Sequence, residues 1–238
     1  MYKHLLLSIV LSIIVLSAYA TPSWKINSKG GIEWKIGKEQ LPHKDHIEMS
    51  GEQMAFVLRW GIDANGALDL ERSLVFPLLR TIPNNTHASL MHRFATDVIS
   101  LVSVNGRSLQ NENTRLVEID GMFRSISEFG GGIEVERVIF PSVDKPFMCE
   151  RYVFKNTNKR ASTVYVPDFS QKHTTLPEKG VDGAYLLQAS IQGAGTYQLK
   201  EGESLSFDVI FQACRVVPLR IGVQSAHLPN TAQQESAE

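Results

Sequence analysis

Apolar and polar positions alternate along most of this chain with a period of two, the spacing that sends successive strand side chains to opposite faces of a sheet. In GIEWKIG, Ile32, Trp34 and Ile36 share one phase. HIEMSG reads as a short strand. QMAFVLRWGI and ALDLERSLVF are two runs separated by DANG, where Asp63, Asn65 and Gly66 suit a tight hairpin turn. In the second run Leu68, Leu70, Arg72 and Leu74 fall in one phase and Asp69, Glu71 and Ser73 in the other, a core face and a wet face. IEVERVIFPS repeats the pattern with Ile133, Val135, Arg137 and Ile139 in phase. PFMCERYVF, STVYV, GAYLLQASIQG, GTYQLK and SLSFDVIFQACRV follow, for about a dozen strands and no helix-long period. The predicted fold is all-β: a large antiparallel two-sheet sandwich, supersandwich-like, with few or no helices.

The pattern breaks at both ends. MYKHLLLSIVLSIIVLSAYA has a basic start, an apolar run from Leu5 to Leu16 and a small-x-small ending at Ala18-Tyr19-Ala20. This is the form of a secretory signal peptide over residues 1–20, and the apolar run is short for a span of about 20 residues. The mature protein is expected to be exported, periplasmic or extracellular, with no membrane span. Residues 21–44 form an extension with a first strand and residues 45–217 the sandwich. Residues 218–238, free of aromatics, read as a disordered tail or truncated linker.

Composition narrows the function classes. With 24 basic and 25 acidic residues interspersed, the chain has no basic stripe to neutralise phosphates, so nucleic acid is not an expected partner. The two cysteines, Cys149 and Cys214, are too few for a disulfide framework. They either pair across a sheet or pack as small buried thiols, and the second reading is favoured. No metal or cofactor is expected. His43 and His46 lack convergent ligands, and His87 and His92, five apart, fall on opposite faces of a strand. FGGGIE lacks the helix that a phosphate cradle needs.

One stretch is chemically dense. PLLRTIPNNTHASLMHRF brings Arg80, Asn84, Asn85, His87 and Arg93 around Pro83. Asparagines there bond nearby backbone and make turns, which favours a polar corner where the chain switches sheets. The alternative is direct contact of these five residues with a ligand or partner. Candidate carboxylates for sugar hydrolysis are Glu134, Glu136, Glu150 and Asp168. Glu134 and Glu136 are about 7 Å apart on one strand face, within the roughly 5–10 Å that glycosidases use. Their phase points them to solvent, however. Trp24, Trp34 and Trp60 are the candidate sugar platforms, with Trp34 and Trp60 in core phase and Trp24 nearer the surface.

HIEMSGEQMAFVLRWGIDANGALDLERSLVFPLLRTIPNNTHASLMHRF, with VNGRSL and DGMFRSISEF, resembles the N-terminal β-supersandwich domain of bacterial six-hairpin ((α/α)6-barrel) glycosidases, over roughly residues 45 to 215. In that family the catalytic carboxylates lie in a helical barrel that follows the sandwich. No such helical region is present here, so no catalytic residue carries over. The resemblance implies an exported accessory domain, non-catalytic alone, that supports glycan binding or a helical catalytic partner domain. Two alternatives stay open: a glycoside hydrolase acting on plant or host polysaccharide, and a truncated remnant of a split glycosidase gene.

Overall fold

The computed structural model describes residues 24–81, 86–88 and 90–217. The signal-peptide reading of residues 1–20 and the tail reading of residues 218–238 lie outside them. Nineteen strands form among the described residues. The first eight are β1 (Lys25–Ile26), β2 (Ile32–Lys35), β3 (His43–Ser50), β4 (Ala55–Ile62), β5 (Leu68–Val75), β6 (Leu79–Thr81), β7 (Thr86–Ala88) and β8 (Met91–Phe94). Then come β9 (Ser103–Val104), β10 (Arg107–Ser108), β11 (Asn113–Ile119), β12 (Phe123–Phe129), β13 (Ile133–Pro141) and β14 (Phe147–Asn156). The last are β15 (Ser162–Val166), β16 (Ser170–Thr174), β17 (Tyr185–Gln192), β18 (Gly195–Leu199) and β19 (Ser204–Arg215). The helical elements are three single 3₁₀ turns. No described helix is long and apolar enough to cross a membrane.

The all-β sandwich expected from the alternation is what the chain forms, with more parts than two sheets. A nine-stranded antiparallel sheet runs β1-β2-β11-β12-β13-β14-β19-β17-β16. Two four-stranded sheets, β3-β4-β5-β8 and β10-β9-β15-β18, contribute to one continuous core with it. Phe56 and Phe94 meet Phe211 at ring-centroid distances of 5.3 Å, and Trp60 meets Phe123 at 5.6 Å, joining the β3-β4-β5-β8 sheet to the large one. Val164, Val166 and Leu199 bring in the other small sheet. The dozen strands expected become nineteen because β1, β6, β7, β9 and β10 have only two or three residues, too few to display an alternation. Within residues 24–44, β2 pairs with β11, and Trp34 is fully buried in the core.

Local chemistry explains the turns. Between β4 and β5, an Asp63 Oδ1 atom accepts the backbone N–H groups of Asn65 (2.7 Å) and Ala67 (2.9 Å), and Gly66 supplies φ +94°. The dense stretch at 77–94 behaves differently from a corner between sheets. The β5–β8 ladder ends at Val75↔Met91, Phe76 N–H donates to Leu90 O (2.9 Å), and the ladder resumes as Leu79↔Ala88, Arg80↔His87 and Thr81↔Thr86. The chain leaves the β3-β4-β5-β8 sheet as a two-stranded ribbon and returns to the same sheet. Pro77 has no N–H to give, so the ladder is interrupted there.

Candidate functional site

Two groups of charged side chains flank strand β5, one on each face. The inner group begins with Arg72, which the alternation places among leucines and which is 1% exposed. It crosses between the layers to Glu150 on β14, itself fully buried. The contact is bidentate: Arg72 Nε to Glu150 Oε2 at 2.6 Å and Nη2 to Oε1 at 2.6 Å. The Tyr152 hydroxyl donates to Glu150 Oε1 (2.7 Å), and Arg72 Nη1 donates to the Leu70 carbonyl (3.0 Å). Half-buried Asp97 stands 3.4 Å from Arg72 Nη2.

Burial alone would raise the Glu150 carboxyl. The charge and hydrogen bonds of Arg72, with the Tyr152 hydroxyl, more than offset that and hold it below its usual value. Burial, followed by the Glu150 charge, pushes the Tyr152 hydroxyl well up. Burial also raises Asp97, against the pull of Arg72.

A second buried arginine lies beside this cluster. Arg137 Nη1 donates to Glu112 Oε1 (2.8 Å) and to Ser127 Oγ (3.2 Å), and its guanidinium stands 5.9 Å from the Tyr152 ring centroid. Arg137 Nε and Ser125 Oγ, on adjacent strands in register, have no hydrogen-bond partner. The arrangement ties the layers together. Its carboxylate is ionised, sealed and doubly clamped, which suits neither a general acid nor a nucleophile.

The outer group lies on the opposite face of β5. Glu71 bonds Arg59 of β4 (2.9 Å) and Arg93 of β8 (3.1 Å), making a chain across three strands. This chain leads into a groove of about 490 Å³ whose walls include Pro42, Lys44, Asp45, Arg59, Asp69 and Glu71. Its floor is Gly61, which sits in the ladder between Lys44 and Asp69. A Cβ at Gly61 would stand 3.1 Å from His43 O and 3.2 Å from Lys44 Cγ, so the missing side chain lets the Lys44 stem lie close over this strand. Strands are about 4.8 Å apart, which puts the Cα atoms of Lys44 and Asp69 about 10 Å from each other across the glycine. Among the described residues neither makes a side-chain hydrogen bond or ion pair.

The candidates from sequence separate in space. Of the five residues in the dense stretch, Arg93 joins the outer charge chain. Arg80 and His87 are ladder partners in the β6–β7 ribbon. Asn84 and Asn85 lie outside the described residues. Among the carboxylates, Glu150 is locked by Arg72 in the core. Glu134 and Glu136 are on the outer face of β13, where Glu136 pairs with Arg124, and Asp168 is exposed. No two of them face each other across an open cleft.

Trp24 does not offer a free platform. It packs against Trp34 (5.9 Å) and Trp60 (6.1 Å), and His43 sits 4.6 Å from the Trp34 ring. No group of three or more His, Cys, Asp or Glu side chains among the described residues is placed to hold a metal ion.

The cysteines are both unpaired. The ladder partner of Cys149 on β19 is Ile210, four residues before Cys214, a separation of about 13 Å along the strand. A disulfide needs Cα atoms within about 7 Å, so the cross-sheet bridge considered from sequence does not form. The reading of two buried thiols holds for Cys149, whose thiol burial pushes up to about 12, and fails for Cys214, which is exposed.

Alternation places Arg72 in the apolar phase but carries no sign of its partner. The Gly61 groove leaves one cue in the sequence, a glycine inside a strand. No family model and no curated protein sequence matches the chain.

Proposed function

We propose that this chain is an exported accessory β-sandwich module of a glycosidase-like protein. Alone it is non-catalytic, and it supports glycan binding by the assembly in which it works. The observation that carries the reading is the groove beside Gly61, a mainly apolar surface with charged side chains at its walls, on a sandwich whose buried carboxylate is clamped in the core. Its volume of about 490 Å³ falls in the range of small-molecule sites. The groove lies on regular strands, which hold side chains more rigidly than loops do.

Two assays on the purified protein test the proposal. Binding to a panel of neutral and acidic polysaccharides is the expected result, with no turnover of aryl-glycosides. Absence of binding across the panel removes the glycan half of the reading. Turnover that Glu134→Gln abolishes at unchanged melting temperature replaces it with a glycoside hydrolase.

A further inference from the structure

We infer that one end of the nine-stranded sheet is an interface on which a second copy of this chain docks about a two-fold axis. This goes beyond the accessory reading and does not depend on the groove beside Gly61. At that end the β13–β14 turn (142–146), the β16–β17 loop (175–184) and the residues that follow β19 (216–217) lie side by side, because Phe147 pairs with Gln212 and Tyr185 with Arg215. Each of the three segments carries bare aliphatic side chains: Val143 is 75% exposed, Val181 68% and Val217 78%, with Leu176 half exposed. The turns at the opposite end, 130–132, 157–161 and 200–203, carry no exposed large hydrophobic side chain. Apolar side chains gathered in this way mark a surface that another surface covers.

Between these segments lies a mainly apolar groove of about 320 Å³, whose lining includes Lys145, Pro146, Phe147, Leu186, Gln212 and Cys214. The polar groups of its floor are turned on each other: Gln212 Nε2 donates to Gln188 Oε1 (3.3 Å), and Gln188 Nε2 donates to Ser170 Oγ (3.1 Å). Charge sits at the rims. The β13–β14 turn presents Asp144 and Lys145, and the β16–β17 loop presents Glu178 and Lys179, all four exposed. A neutral centre inside a charged rim is the anatomy of a protein interface.

The rims name the occupant. Each bears one acid followed by one lysine. A two-fold axis through the end of β19 lays the turn of one copy against the loop of the other, and does so twice. In antiparallel alignment Asp144 then meets the facing copy's Lys179 and Lys145 meets its Glu178, while Val143 packs on the loop that carries Leu176 and Val181. The surface is thus complementary to itself in charge as well as in its apolar centre. A lipid surface would instead set Asp144, Glu178 and Asp182 among its phosphates, with no counter-charge. Cys214 lines the groove and is exposed in the single chain, so its access to a reagent reports whether the face is covered. Cys149 does not interfere, because it is buried and burial pushes its thiol up to about 12.

Sedimentation velocity of the full chain under reducing conditions is expected to show a monomer–dimer equilibrium that moves to dimer as concentration rises, with slower maleimide labelling of Cys214 in the dimer. Val143→Asp combined with Val181→Asp should return the chain to monomer and restore fast labelling. Both sites are exposed, so an unchanged melting temperature separates lost docking from lost folding. Lys145→Glu should weaken the dimer by about tenfold, since a substitution at a two-fold interface acts twice, and adding Glu178→Lys should restore it. A monomer at every concentration overturns the interface, and a monomer that floats with phosphatidylcholine–phosphatidylglycerol vesicles assigns the face to lipid instead. A dimer that survives the two valine substitutions overturns its location. Failure of Glu178→Lys to rescue Lys145→Glu overturns the pairing of the rims.

Discussion

Glu71 and Arg72 are neighbours on β5, and each anchors an ion-pair group, yet the two groups do different work. Arg72 points inward, is 1% exposed and meets a carboxylate with no solvent exposure at all. Glu71 points outward, its side chain is 27% exposed, and its partners Arg59 and Arg93 are mostly in water. Water screens the outer charges, so the chain Arg59–Glu71–Arg93 contributes little to stability and remains free to shape a groove. The inner pair has been stripped of water, and each member depends on the other to offset that loss. One strand thus separates a buried clamp from an exposed charged surface by a single residue step.

Breaking one half of the inner clamp gives the largest expected effect. Arg72→Met leaves the Glu150 carboxylate buried without its counter-ion and should cost about 3–5 kcal/mol in urea unfolding. Replacing both partners, Arg72→Met with Glu150→Leu, should recover most of that loss, because two apolar groups then fill the space. A double variant no more stable than the single one would show that the pair is not the seat of the effect.

The pH dependence of stability comes next. The folded Glu150 carboxyl is held below its usual value, so its contribution is fully present above the unfolded carboxylate value of about 4.3. It is lost as pH falls from there through the folded value. Between pH 6 and 3 the melting temperature should fall more steeply in wild type than in Glu150→Gln, which starts from a lower stability.

A gentler titration sits where the edges of the layers meet. His92 of β8 stacks on His173 of β16 with ring centroids 3.8 Å apart and 11° between planes. Burial, then the proximity of His173, lowers the His92 value. The neutral His92 ring therefore contributes fully above about pH 6.5, and its contribution falls as pH drops through the depressed value. Between pH 7.5 and 5.5 wild type should lose a small amount of thermal stability that His92→Phe does not lose.

The smallest effect belongs to the outer chain. Glu71→Gln should cost at most about 1 kcal/mol, less at high salt. A cost near that of Arg72→Met would erase the contrast between the two faces of β5.

Much of this contrast is legible in the alternation. Arg72 falls in phase with Leu68, Leu70 and Leu74, and Arg137 with Ile133, Val135 and Ile139, so phase alone marks both as inward. Their partners are not legible, because Arg72 meets Glu150 from 78 residues away and alternation carries no register between distant strands. The hairpin at DANG is legible because Asp63 and Gly66 act locally. The 77–94 stretch reads as a corner between sheets and is instead a ribbon that returns to its own sheet. Its prolines and asparagines mark a turn, but nothing local says to which sheet the chain returns.

Period-two patterning is enough to make this chain a β-sandwich and to fix which face of each long strand is apolar, since both follow from the geometry of single strands. The pairing of charges and the opening of a groove arise only once distant strands are aligned. Lys44, Gly61 and Asp69 form a row only when β3, β4 and β5 pair in one particular register. A slip of one residue would send each side chain to the other face, close the groove and bury its charges.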